Sequence, residues 1–139
     1  MKEITAIRID AYLNKIEEIE IDGDKFEDIN AAINCDIFCI GARLHTGDIL
    51  FVDDMGWLDP RVKRAFKMGG ANTILPKDAL FAGNGLIVGH TYGGETIDAK
   101  SKLLEVANAV EFMPIGCEIS DKMRGLATSA TKIIMTRVS

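Results

Sequence analysis

Near the start of the chain, Thr5, Ile7 and Ile9 alternate with Ala6, Arg8 and Asp10, a period of two that predicts a strand over residues 3–10. Lys15 to Asp22 carries Ile16, Ile19 and Ile21, a spacing that fits a second strand or a short helix, and the isoleucines favour the strand. Asn14 falls in the linking turn, and Asp22-Gly23-Asp24 closes the segment. Phe26, Ile29, Ala32 and Ile33 then mark one face of a helix, led by acids that suit its positive N-terminal end. The apolar run Ile37 to Ile40 and the run Ile49 to Val52 flank His45-Thr46-Gly47-Asp48, so residues 36–54 read as a hairpin.

Asp59 before Pro60, with Gly69-Gly70 further on, punctuates a helix from about residue 60, with a strand as the competing assignment. Leu86 to Val88 reads as a short strand after Gly83-Asn84-Gly85, and His90 to Glu95 as a tight turn. Leu103, Leu104, Val106, Ala107 and Val110 predict a helix over Ser101 to Phe112, stopped by Pro114. Ser120-Asp121 suits the start of a short helix, and Ile133 to Val138 a final strand or a helix. The expected fold is a single α+β domain, a mostly antiparallel sheet with two or three helices packed on one side. Residues 1–113 form its core, and 114–139 a C-terminal appendage of the same domain, helix or strand, in oligomer contact.

Composition narrows the class. The 139 residues are 47% apolar, enough for a packed core and too apolar for a disordered chain. Residues 1–59 carry 14 acids against 5 bases, whereas residues 60–139 carry 7 acids against 11 bases, so the net charge of −5 hides a division. The longest uncharged run, Ala79 to Gly94, holds five glycines, which excludes a membrane span. Charges at positions 2, 3, 8 and 10 interrupt any signal-peptide core, and a cytoplasmic protein is expected. Cys35, Cys39 and Cys117 are an odd set among apolar neighbours, read as reduced thiols. Cys35-x-x-x-Cys39 lacks a second pair, so no metal is expected, and no cofactor motif is present.

Two segments could hold an anion. In the basic segment Arg61, Lys63, Arg64 and Lys67, a helix would set Arg64 and Lys67 on one face with Arg61 adjoining them, a group able to grip phosphates, the plain alternative being a solvated face. A pI near 5.0 argues against duplex DNA. In Phe81-Ala82-Gly83-Asn84-Gly85, close glycines allow backbone N–H groups to approach an anion, and Phe81 could stack on a base; the alternative is a glycine-rich hairpin. No Gly-Lys-Ser/Thr follows, and Val88 stands where a dinucleotide fingerprint needs its third glycine. His90 near Tyr92 and Glu95, and the pair Asp53-Asp54, are the residues that acid–base work would use. No catalytic signature accompanies them, so a non-enzymatic protein is expected. Trp57 after Gly56 reads either as an exposed contact or as a core or interface residue.

Gly47-Asp48-Ile49-Leu50-Phe51-Val52-Asp53-Asp54, Ala82-Gly83-Asn84-Gly85-Leu86 and Gly94-Glu95-Thr96-Ile97-Asp98-Ala99 together resemble segments of a family of small proteins, without assigned activity, from phages, plasmids and conjugative elements. The resemblance covers about half the chain and extends weakly to Ile4; Asn84 replaces the family's usual Lys, and Met55 its usual Glu. It implies a mobile-element accessory protein acting against host defence. The expectation is a homo-oligomeric binder that sequesters a small anionic nucleotide-type ligand, a cyclic nucleotide or ADP-ribose-like immune signal. Its site would use Arg61, Arg64, Lys67, Phe81, Gly83, Asn84, Gly85 and His90. The alternative is a protein-interaction module that inhibits a host defence or nucleic-acid enzyme through an acidic surface.

Overall fold

The computed structural model describes residues 2–68, 79–115 and 133–135. Strand β1 (Glu3–Asp10) turns back through residues 11–14 into β2 (Lys15–Asp22), as the alternation predicts. The turn is set by Asp10, whose Oδ1 accepts the N–H groups of Tyr12 and Leu13, and by Asn14 in the left-handed region at φ 52°. Helix α1 (Phe26–Ile33) follows, then the hairpin of β3 (Phe38–Arg43) and β4 (Ile49–Asp53). A bulge interrupts the β3–β4 register between Ile40 and Ala42.

The remaining elements are β5 (Arg64–Met68), β6 (Leu80–Ala82), β7 (Gly85–His90), β8 (Thr96–Ile97), α2 (Leu103–Ala109), β9 (Val110–Pro114) and β10 (Ile133–Met135). They complete a seven-stranded sheet in the order β10-β2-β1-β7-β4-β3, with β8 on β7, and a three-stranded sheet in the order β6-β5-β9. All pairings are antiparallel except β10 on β2. The α+β class holds.

Strand alternation divides the core. Ile4, Ala6, Ile49, Phe51, Leu86 and Val88 face α1 and pack on its Ile29 and Ile33. Ile7, Ile9, Leu50, Val52 and Ile87 point the other way, toward α2 and toward Phe66, Met68 and Phe112 of the small sheet. The two helices therefore lie on opposite faces of the large sheet. The expected layout with helices on one side is corrected: the second face is covered jointly by α2 and a sheet.

The segment around Arg61 to Lys67 is also corrected. Residues 59–62 make a turn, with Val62 N–H on Asp59 O at 3.0 Å, and Arg64 to Met68 is a strand. The helix expected to Phe112 ends at Ala109, and Val110 to Pro114 becomes β9, laddered on β5 with Phe66 opposite Phe112. Gly83-Asn84 is not a hairpin tip. β6 pairs with β5 and β7 with β1 and β4, so these two residues carry the chain from one sheet to the other. Gly83 sits at φ 84° there, a conformation glycine adopts freely. A Cβ on Gly85 would stand 2.8 Å from Phe66 Cζ and 2.9 Å from Leu50 Cδ1, so this position lets the two sheets approach.

Residues 133–135 form a strand; the expected helix at Ser120-Asp121, the Gly69-Gly70 stop and most of the 114–139 appendage lie outside the described residues. No helix among the described residues is long and apolar enough to cross a membrane.

Candidate functional site

Helix α1 ends in a left-handed Asn34 at φ 56°, whose N–H returns to Ala31 O while the Cys35 N–H returns to Asn30 O. Asn30 then fixes the next stretch, its Oδ1 accepting the Phe38 N–H at 2.9 Å and the Cys35 thiol at 3.6 Å. Opposite it, residues 53–62 form successive turns. Asp53 Oδ1 accepts the Met55 N–H, Met55 O accepts the Leu58 and Asp59 N–H groups, and Asp59 Oδ1 accepts the Arg61 N–H. An Asp54 N–H to Ile37 O bond of 2.9 Å joins the two stretches.

Between the end of α1, these turns and the Gly83-Asn84 crossing lies a pocket of about 450 Å³. Its walls carry Ile37, Met55, Val62 and the Tyr12 ring, and its charges are Asp36, Asp53, Asp59 and Arg61. A shallower hollow of about 330 Å³, lined by Trp57, Leu58, Lys63 and Ile115, shares Asp59 and Val62 with it. Ile37, Met55, Trp57 and Leu58 are all exposed, Trp57 at 55% and Leu58 at 74%. Lone exposed apolar side chains are ordinary; four gathered around two adjoining hollows are a surface feature.

The electrostatics favour positive charge. Arg61 forks onto Asp59, with Nε at 3.0 Å from Oδ1 and Nη2 at 2.8 Å from Oδ2, and holds that carboxyl down to about 2. The same guanidinium stands 4.0 Å from Asp36, which is almost wholly exposed. Burial, followed by the charges of Asp53 and Asp36, pushes the Cys35 thiol up to about 12, so it stays protonated and is a poor nucleophile. Among the described residues no group of three or more His, Cys, Asp or Glu side chains is placed to hold a metal ion.

Three of the eight residues expected at an anion site, Arg61, Gly83 and Asn84, line this pocket. The other five stand outside its lining. Arg64 donates Nε to Ala11 O and Nη2 to Asn14 Oδ1, each at 2.8 Å, and so braces the β1–β2 turn against β5. Lys67 stands 4.0 Å from Glu111 across the β5–β9 ladder. Phe81 packs on Phe66, ring centroids 5.4 Å apart, against the core. Gly85 opens β7, and His90 closes it opposite Thr96. Asn84 is buried; its Oδ1 accepts the Ala11 N–H at 2.8 Å and its Nδ2 reaches Ile33 O at 3.5 Å.

Sequence reasoning singled out Trp57 and the Asp53-Asp54 pair but missed Tyr12, Asp36, Ile37, Leu58 and Asp59 as parts of one surface. The available signal was Met55-Gly56-Trp57-Leu58, large apolar residues in a turn between acids, where core burial is hard to achieve. Comparison of the chain with protein-family models, curated proteins and solved structures finds no match.

Proposed function

We propose that this chain is a non-enzymatic protein-interaction module whose surface over residues 53–62 and Ile37 engages a partner segment bearing apolar side chains and positive charge. The observation that carries the reading is the exposure of Trp57 and Leu58 beside the two hollows and their carboxylates. Tryptophan at the centre of a surface patch is a frequent source of binding energy, and surrounding acids select a basic partner. With the likeness to proteins of mobile elements, the partner would be a host defence or nucleic-acid enzyme. A second reading, sequestration of a nucleotide-type signal, has Arg61, Gly83 and Asn84 on one pocket in its favour. Against it, the pocket sets three carboxylates against one guanidinium, which opposes an anion.

The test replaces Trp57→Ser and Leu58→Ser together. Both side chains are exposed, so melting should be nearly unchanged, while capture of a discrete host protein should fall by about 30-fold. A photo-crosslinker at position 58 should map to a basic, apolar segment of that protein. Equal capture by the variant, or crosslinks only between copies of this chain, would overturn the reading. A saturable rise in Tm with cyclic dinucleotides or ADP-ribose would restore the second one.

A further inference from the structure

We infer that the face of β3 carrying Phe38, Ile40 and Arg43 is the contact surface for a second copy of this chain, the two strips lying antiparallel about a twofold axis near Ile40. Residues directly opposite each other in an antiparallel ladder point to the same face. Phe38 pairs with Asp53, Ile40 with Phe51 and Arg43 with Ile49, and Phe51 and Ile49 belong to the core on the α1 side. Cys39 and Ala42, opposite Val52 and Leu50, turn to the other core. Regular alternation would set residue 42 beside 38 and 40; the bulge puts Arg43 there instead. The irregularity thus gives an otherwise apolar strip a cationic end.

This strip has no cover among the described residues. Helix α1 packs over β1, β2, β7 and β4, which leaves β3 beyond it, and both Ile40 and Phe26 at the flank are exposed. Phe26 stands edge-on to Phe38 with ring centroids 5.5 Å apart, and Phe38 edge-on to the buried Phe51 at 4.6 Å. A row of rings therefore runs from the core to the surface and holds the strip in one shape, which lowers the cost of binding. Charge names the occupant. Arg43 is exposed, and its guanidinium has no partner among the described residues. At the Phe38 end stand Asp53 and, two residues before β3, the almost wholly exposed Asp36. Half a turn about Ile40 carries Arg43 of each copy toward the acids of the other and lays Ile40 against Ile40. A twofold contact requires such self-complementarity. A foreign segment of either charge would answer only one end.

The test is sedimentation equilibrium, which should show the chain passing from monomer to dimer as its concentration rises. Arg43→Glu sets like charges together at both ends of the contact, and so does Asp36→Arg. Each should weaken dimerisation by about tenfold or more, with Tm unchanged because both side chains are exposed. Mixed in equal amounts, the two variants should form a heterodimer that recovers most of the lost affinity, since the exchanged charges again oppose each other in sign. A chain that stays monomeric at its solubility limit, variants that dimerise as wild type does, or a mixture that stays monomeric would overturn the inference. Trp57→Ser with Leu58→Ser should leave the dimer intact. Loss of the dimer in that variant would move the contact to the other surface and overturn the assignment to β3, and an intact dimer that no longer captures a host protein would support both readings separately.

Discussion

Asn84 holds together parts of the chain that lie far apart in sequence. Its Oδ1 takes the N–H of Ala11, 73 residues away, and its Nδ2 reaches the last carbonyl of α1. Asn84→Ala strands a buried N–H at the start of the β1–β2 turn, and should cost about 2 kcal/mol in urea unfolding. A loss below about 0.5 kcal/mol would mean that water replaces the amide at no expense. The sequence drew attention to this residue, but for the company of its glycines. Its anchoring role depends on contacts across the whole fold, which local spacing does not encode. Arg64 is similar: its guanidinium serves Ala11 O and Asn14, a use visible only once β5 lies beside the β1–β2 turn.

Among the elements, β1, β2, α1 and the β3–β4 hairpin were legible because each carries its own periodicity over enough residues. The departures at Arg64–Met68 and Val110–Pro114 have one cause. Each strand is the other's ladder partner, and the two lie far apart in sequence, so no local pattern announces the pairing. Seven residues with four cations fit a helix face as well as a strand, and the pairing decides. The β1–β2 ladder offers an energetic test. Arg8 stands opposite Glu17 and binds its Oε2 through Nε at 2.9 Å and through Nη2, while Lys15 lies 3.3 Å from Oε1. Burial alone would raise the Glu17 carboxyl, but the bonds and charges of Arg8 and Lys15 outweigh it and hold the group below its ordinary 4.5. A carboxyl depressed on folding stabilises the protein above its unfolded value, and that stability is lost as pH falls through the folded one. Glu17→Gln should therefore cost about 2 kcal/mol at pH 7, and the gap from wild type should close as the pH drops below 4.5. A gap independent of pH would assign the loss to packing.

At the scale of the molecule, the division of charge at residue 59 does not follow the architecture. β7 comes from the basic part and lies between β1 and β4 of the acidic part, bonded to both. The large sheet draws strands from both parts, while the small sheet β6-β5-β9 comes wholly from the basic one. A fragment of residues 1–59 should lack native dispersion in its NMR spectrum, because β1 and β4 have lost the strand that joins them. Mixing it with a fragment of residues 60–139 should restore that dispersion; a folded 1–59 fragment would show that the halves are autonomous. The acidic surface is thus a local property of the turns near Asp36, Asp53 and Asp59.

The bulge in β3 bears on how other chains can approach. Among the described residues β3 ends the row of strands in the large sheet, so its outer backbone groups would ordinarily invite another strand to continue the row. The irregularity between Ile40 and Ala42 breaks the rhythm of those groups halfway along. A visiting strand could match only a fragment of the edge before losing register. Chains crowded together are thereby denied a template for open-ended stacking, and contact beside this edge must be read through side chains.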